Sequence, residues 1–144
     1  MALNDNLQGN ESYYMVEIRS LKRILDACKD TTMPVLCMVD EVLRGTNTIE
    51  RIAASSQILK TLAKKHILMF AATHDIELTT ILNDYYDNYH FQEEVGENDV
   101  TFNYTIYEGP ATTRNAIRLL KIMGYDDDIV ANANDLANRL IKNN

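Results

Sequence analysis

A short apolar run that ends in two adjacent acids constrains this chain more than any other feature. Residues 35–39 are Val-Leu-Cys-Met-Val, and they are followed by Asp40, Glu41 and a polar turn that contains Gly45. A continuous apolar run bounded by turn signals is typical of a strand buried in a parallel sheet. Open α/β sheets bind ligands at the carboxyl ends of such strands. The run therefore predicts either a strand with two acids at a ligand-binding edge or a structural strand capped by two solvated acids.

A second apolar run helps to choose between these two interpretations. Residues 67–72 are apolar and end two positions before His74, and residues 49 to about 65 show helical spacing. Strand, helix and strand in this order predict a βαβ crossover with parallel strands, whose carboxyl ends share one edge. The predicted helix has a thin apolar stripe, with small serines between its members: Ile49, Ile52, Ser55, Ser56, Leu59 and Ala63. The crossover places His74 beside Asp40 and Glu41, which favours a catalytic role for this histidine.

Helical patterns flank this unit on both sides. A helix is predicted from Glu11, with Ser12 at its start, where backbone N–H groups are unpaired and can bind a cap or a phosphate. Its apolar stripe consists of Tyr14, Ile18, Leu21, Leu25 and Cys28. A short helix is predicted at 76–84.

A change of period marks the last third of the chain. Apolar residues alternate with polar ones on both sides of the turn Gly96–Asp99, which predicts an antiparallel hairpin near 87–107. The alternating residues are Tyr89, Phe91 and Val95, then Val100, Phe102, Tyr104 and Ile106. Helices are predicted at about 113–123, ending at Gly124, and at about 127–142. The last helix has an apolar stripe that either docks on its own domain or forms a dimer interface: Ile129, Ala133, Leu136 and Leu140.

Composition limits the size of the domain and the kinds of partner that the chain can have. The 144 residues suffice for one domain with a core, and 46% hydrophobic with 24% charged residues is ordinary for a globular protein. The net charge of −7 argues against a main DNA-contacting surface, because phosphate binding requires clustered Lys and Arg. Cys28 and Cys37 fall at predicted core positions, as in a reduced cytoplasmic protein. Without a long apolar run or a signal peptide, neither membrane insertion nor secretion is expected.

Several motifs in one order carry a family resemblance over nearly the whole chain. They are Asp5-Asn6-Leu7, the segment Ser12 to Ile18, the Walker B pair Asp40-Glu41, the D-loop Arg44 to Thr48 and the switch segment Ala72-Thr73-His74. In this order they resemble the C-terminal part of the MutS family ATPase domain, an ABC-type ATPase. The resemblance implies an α/β, P-loop NTPase-like partial domain: residues 1–124 form the ATPase portion, and residues 125–144 form a C-terminal helix and possible dimerisation element.

The resemblance also implies a role for each site residue in an ATP- and Mg²⁺-dependent dimer. Asp40 would hold the magnesium ion through water, and Glu41 would orient and deprotonate the attacking water. His74 would sense the γ-phosphate. Ser12 would reach the γ-phosphate of the nucleotide bound by the partner subunit, and Asn47 would lie at the interface between the two sites. DNA would bind through parts of the full protein that this sequence lacks.

Three segments depart from the family pattern. Asn10 and Glu11 replace a small and a basic residue, Glu50-Arg51 replaces an acid-glycine pair, and Arg114-Asn115-Ala116 replaces Ser-Tyr-Gly. These departures indicate a divergent MutS-like branch.

None of the five glycines precedes a lysine, so the phosphate-binding Gly-x-x-x-x-Gly-Lys-Ser/Thr motif is missing from the sequence. We therefore expect a fragment of a MutS-like DNA-repair ATPase: the full protein would hydrolyse ATP, and the fragment alone would be inactive because it lacks this motif. Two alternatives remain: a non-catalytic dimerisation or interaction module, which predicts that Glu41 is dispensable, and a part of another ABC-type ATPase, which predicts a transmembrane partner.

Overall fold

The computed structural model describes residues 13–96, 99–112 and 115–142. The chain divides after Asp87 into two compact units, which are described separately below. The elements of the first unit are α1 (Tyr13–Ala27), β1 (Val35–Asp40), α2 (Thr48–Leu62), β2 (Ile67–Ala72) and α3 (Ile76–Ile81). The elements of the second unit are β3 (Tyr89–Val95), β4 (Val100–Glu108), α4 (Ala116–Ile122) and α5 (Asp127–Lys142). The mixed α/β character agrees with the prediction.

The first unit is built on the predicted parallel strand pair. β1 pairs with β2 in register from Val35 opposite Ile67 to Asp40 opposite Ala72, with α2 as the connection between them. The prediction of a parallel βαβ unit is therefore confirmed, and both strands end at the same edge.

The expectation that β1 is fully buried is wrong for the described residues. Its side chains alternate, as they do in a strand with one covered face: Cys37 is buried, whereas Leu36 and Met38 are exposed. On β2, Leu68 and Phe70 are exposed in register with them. We call these four residues the bare face of the β1–β2 sheet.

The covered face of the sheet meets the helices of the first unit. The core cluster of buried residues is Leu21, Val42, Leu43, Leu59, Leu78 and Leu82. The α1 stripe lies on the inner side as predicted, with Leu21 and Cys28 buried and Tyr14 and Ile18 packed against the core.

The packed side of α2 differs from the predicted stripe at its first residue. Ser55, Ser56, Leu59 and Leu62 are buried, and Ile52 packs against the core. Ile49, by contrast, is 82% exposed, because it lies in the first turn of the helix, one turn before the buried serines begin. The small serines do lie where the prediction put them, and Ser55 Oγ donates to the carbonyl oxygen of Val42 at 3.2 Å.

The second unit contains the predicted antiparallel hairpin, with an irregularity that the alternation did not predict. Phe91 pairs with Ile106, but Glu93 pairs with Phe102, so β4 has two more residues than β3 between these pairs. Tyr104 lies in this bulge with a φ of +53°, and Asn103 Oδ1 accepts a hydrogen bond from the Thr105 N–H at 3.0 Å. The predicted strict alternation from Val100 to Ile106 is therefore wrong at the bulge.

The two C-terminal helices follow the hairpin. Gly124 ends the α4 segment with a φ of +81°, as expected of a glycine after a helix. α5 buries Val130, whereas three members of its predicted apolar stripe are exposed: Ile129, Leu136 and Leu140. No helix in the described ranges is long and apolar enough to cross a membrane.

Candidate functional site

The site lies where β1 and β2 end. The backbone N–H of Glu41 donates to the carbonyl oxygen of Ala72 at 2.9 Å, which extends the strand pairing by one residue. This places the side chain of Glu41 next to the loop that follows β2. The Nε2 atom of His74 lies 2.8 Å from Oε1 of Glu41. The prediction from the βαβ crossover that His74 lies beside Glu41 is therefore confirmed.

The turn after β1 has an unfavourable backbone. Glu41 has a φ of +49° and Leu43 a φ of +62°, and such angles are rare for residues other than glycine, aspartate and asparagine. Two neighbouring helices stabilise the turn: Glu17 of α1 accepts a hydrogen bond from the Leu43 N–H, and Ser55 of α2 donates to Val42. Strained backbone of this kind persists only where the surrounding structure holds it, and it occurs often at functional sites.

Both carboxylate oxygens of Glu41 have a partner. Oε2 accepts from Nε of Arg44, and Oε1 contacts His74. The Glu41 side chain is only 17% exposed, whereas that of His74 is 93% exposed. The hydrogen bond from Arg44, together with the positive charge of Arg44 and the neighbouring His74 ring, holds the pKa of Glu41 below its usual value. Glu41 is therefore an ionised carboxylate at neutral pH.

A second ion pair joins α2 to the residue that follows His74. Arg51, in the first turn of α2, donates from Nε to Oδ2 of Asp75 at 2.7 Å and from Nη2 to Oδ1 at 2.5 Å. The two hydrogen bonds from Arg51 lower the pKa of Asp75, and the same pairing raises the pKa of Arg51. A two-fold Arg–carboxylate contact fixes geometry as well as charge.

The remaining predicted site residues have separate positions. Asp40 is exposed at the end of β1, beside Glu41. Asn47 caps α2, where its Oδ1 accepts from the Glu50 N–H at 3.0 Å, so it has a structural role here in addition to the predicted interface role. Ser12 lies outside the described residues, and its predicted role stays a prediction.

A small pocket opens at this edge of the sheet. Its volume is about 120 Å³, and it is lined by Glu41, Val42, Arg44, Arg51, Thr73, His74 and Asp75. Pockets that enclose a drug-sized ligand usually measure about 300–1,000 Å³, so this one accommodates only part of a nucleotide. Among the described residues, no group of three or more His, Cys, Asp or Glu side chains is arranged to hold a metal ion.

Four residues of this site received no role from the sequence: Glu17, Arg44, Arg51 and Asp75. Arg44 lies within the D-loop motif, and Arg51 is one of the departures from the family pattern, so both were visible as unusual positions. Asp75 directly follows His74, but no spacing rule connects it to a residue on the preceding helix. Glu17 is a half-buried residue of α1 between Tyr14 and Leu21, and its partner is a backbone N–H far along the chain.

Known proteins match this chain over most of its length. The DNA mismatch repair protein MutS of Thermotoga maritima is 30% identical over 147 residues, covering 100% of this chain and 18% of that protein. MutS of Thermus thermophilus is 27% identical over 133 residues, covering 92% of this chain and 16% of that protein. The DNA mismatch repair protein MutS 2 of Haloarcula marismortui is 27% identical over 136 residues, covering 92% of this chain and 14% of that protein.

The chain therefore spans less than a fifth of the length of these curated relatives. A family model described as MutS domain V matches residues 1–141. The motif order, the parallel βαβ unit and this match over almost every residue lead to one conclusion: the chain belongs to the MutS domain V family.

Proposed function

We propose that this chain supplies the magnesium- and water-binding side of the nucleotide site in a MutS-like DNA-repair ATPase with a P-loop NTPase-like fold. The observation that carries the proposal is the 2.8 Å contact between His74 and Glu41 at the shared carboxyl edge of β1 and β2. Catalysis of phosphoryl transfer depends mainly on positioning and on charge stabilisation. A carboxylate and an imidazole held together at such an edge are suited to both tasks.

Asp40 is the residue proposed to hold Mg²⁺. Magnesium is usually held by one or two carboxylates together with phosphate oxygens and water, so the single exposed carboxylate at the end of β1 has suitable chemistry. When bound, the ion would offset negative charge on the phosphates. Asp40 would accept a hydrogen bond from a water bound to the ion, from a backbone position fixed by the pairing of β1 with β2.

Glu41 is proposed to orient the attacking water and accept its proton, with His74 beside it facing the γ-phosphate. Glu41 stays ionised, which this role requires, but Arg44 and His74 engage both of its oxygens. Each carboxylate oxygen can accept a second hydrogen bond, so a water can bind to Glu41 beside these contacts, and release of one contact would make Glu41 a stronger base. We infer that nucleotide phosphates, which attract Arg and His side chains, would compete for these partners.

The other half of the site would come from outside this sequence. The sequence contains no Gly-x-x-x-x-Gly-Lys motif, and the pocket of about 120 Å³ is too small to enclose a nucleotide. We propose that the phosphate-binding loop belongs to another segment of the full protein, and that Ser12 and Asn47 face a second copy in an ATP-closed dimer. Closure of that dimer would drive action on DNA, which other parts of the protein would contact.

The test uses the protein encoded by the complete reading frame that contains this chain. Mg²⁺-dependent ATP hydrolysis is expected, and Glu41→Gln should abolish it while nucleotide binding persists, because the amide keeps the shape but cannot accept the proton. Asn138→Glu, an exposed change on α5, is the control. Hydrolysis that is unaffected by Glu41→Gln would refute the proposed function.

A second candidate function rests on α5. The exposed side chains of Ile129, Leu136 and Leu140 favour an interaction module that dimerises without catalysis. This alternative predicts that the full protein still dimerises with Glu41→Gln, whereas replacement of the exposed leucines abolishes dimerisation.

A further inference from the structure

The Arg51–Asp75 ion pair joins the start of α2 to the loop that carries His74. Its two hydrogen bonds measure 2.7 Å and 2.5 Å, and the side chains are 23% and 13% exposed. The ion pairs of Asp26 with Lys22 and Lys29 are more exposed, since none of these three side chains is less than 45% exposed. Partial burial and two-fold geometry distinguish the Arg51–Asp75 pair from ordinary surface pairs, which contribute little. Arg51 also lies outside every motif that carries the family resemblance.

Asp75 gives up a favourable local interaction to make this contact. It is the N-cap residue of α3, and aspartate is among the best N-cap residues because its carboxylate can accept the free N–H groups of the first turn. Here the side chain makes no capping hydrogen bond, and both oxygens accept from Arg51 instead. The Asp75 N–H donates to Thr73 Oγ1 at 3.0 Å, so Thr73 and Asp75 bracket His74 in a tight loop.

The His74 ring has little else to fix its position. It is 93% exposed, and its contact with Glu41 is a single interaction at the protein surface. An exposed contact of this kind does little to hold a side chain in place. The position of the ring therefore depends on the backbone of the loop, which is held before His74 by the Glu41–Ala72 hydrogen bond and after it by Asp75.

We propose that Arg51 and Asp75 are positioning residues that hold the Thr73–Asp75 loop so that His74 faces Glu41. The importance of this for catalysis rests on the proposed function; the positioning itself does not. Arg51 acts through Asp75 and the loop backbone, and it is not proposed to touch a substrate.

The positioning is tested by NMR on the 144-residue chain at constant pH. Arg51→Ala and Asp75→Asn should each raise the exchange rate of the Asp75 amide proton by about tenfold, since each removes the two-fold contact. Both should also move the His74 ring signals toward those of Glu41→Ala, which removes the side chain that His74 contacts and serves as the reference for a lost contact. Asp75→Asn is nearly isosteric and retains an N-cap side chain, so it removes the charge with the least disturbance of α3.

Two further variants separate positioning from general destabilisation. The charge exchange Arg51→Asp with Asp75→Arg should restore slow exchange and the original His74 signals. Lys29→Ala, which removes an exposed pair elsewhere, should change neither. Unchanged His74 signals and exchange in both single variants, with the core amide of Leu59 equally protected, would overturn the proposal. Equal loss of protection at Leu59 and Asp75 would also overturn it, because the effect would then be global.

Hydrolysis by the full protein links the two proposals and keeps them separable. Arg51→Ala and Asp75→Asn should lower kcat by about tenfold with little change in KM, because they misplace a group beside the reacting phosphate. If Glu41→Gln abolishes hydrolysis but the two variants retain full kcat, the proposed function stands, the positioning has no importance for catalysis, and the NMR result decides whether the loop is held by the Arg51–Asp75 pair. If Glu41→Gln has no effect, the proposed function is wrong, and the NMR result decides the positioning alone.

Discussion

Replacement of Gly45 by alanine tests how closely the loop after β1 must approach α1. A Cβ atom at Gly45 would lie 3.0 Å from Cβ of Tyr14 and 3.3 Å from its Cδ2. The first of these atoms is bonded directly to the α1 backbone, so no side-chain rotation can relieve the contact. Either α1 or the loop must move by a few tenths of an ångström. We expect this overpacking to cost about 1–3 kcal/mol.

The expected shift in unfolding midpoint follows from this cost. With a urea dependence of about 2 kcal/mol per molar, a loss of about 2 kcal/mol lowers the midpoint of the first unit by about 1 M. The assay is a urea titration followed by NMR signals from each unit, so that the unfolding midpoint is obtained for each unit by itself. Faster amide exchange is expected in α1 near Ile18 and Leu21, which face the same core.

Gly96→Ala is the matched control, because it also replaces a loop glycine that has no positive φ. There the added Cβ would lie 3.5 Å from the nearest atom, the Asp99 carbonyl oxygen, which is an ordinary contact. We expect a change within about 0.5 kcal/mol at Gly96. If Gly45→Ala lowers the urea midpoint of the first unit no more than Gly96→Ala lowers that of the second unit, the close approach of Gly45 to Tyr14 is not a packing constraint.

Three further predictions concern the chain by itself. It should bind ATP weakly and not hydrolyse it, because the phosphate-binding motif is missing from the sequence; robust turnover that Glu41→Gln abolishes would contradict this. The pKa of Asp26, held at about 2 by Lys22 and Lys29, should rise toward 3.8 in an NMR titration of the Lys22→Ala, Lys29→Ala double variant. Because folding depresses this pKa, the pairing stabilises the fold above about pH 3.8 and the benefit is lost as the pH falls through about 2; an unchanged titration would refute it. The chain should also self-associate through the α5 stripe, so light scattering across a concentration series should show dissociation with Leu136→Glu but not with Asn138→Glu, and a strict monomer at high concentration would rule this out.

The helices and strands whose apolar residues recur at regular spacing could be predicted from the sequence. The apolar runs before Asp40 and before Thr73 were long enough to identify strands, and a βαβ connection leaves little choice of direction. The contact between Glu41 and His74 followed from the shared edge alone. The start of the packed side of α2 was harder, because the first-turn Ile49 satisfies helical spacing yet has no core to face.

The side-chain network around the site could not be predicted in this way. Arg51 and Asp75 are 24 positions apart and lie on different elements, so no periodicity connects them. The pairing of Glu17 with the Leu43 N–H depends on a backbone turn whose positive φ angles occur at residues that rarely adopt them. The bulge at Tyr104 is a comparable case, since its residues continue the alternating pattern of a regular strand. Pattern thus predicted the elements, whereas specific side-chain hydrogen bonds determined the local departures.

The bare face of the β1–β2 sheet makes one of its residues a chemical reporter. Met38 is 71% exposed there, whereas Met69 on the covered face is only partly accessible. Thioethers that water can reach are oxidised by peroxide to polar sulfoxides, and packed ones are protected. Met123 of the second unit is also exposed and provides an internal standard for reactivity. The ratio of sulfoxide at Met38 to that at Met123 therefore measures how much of the bare face is covered, whether by another segment of the full protein or by a second copy.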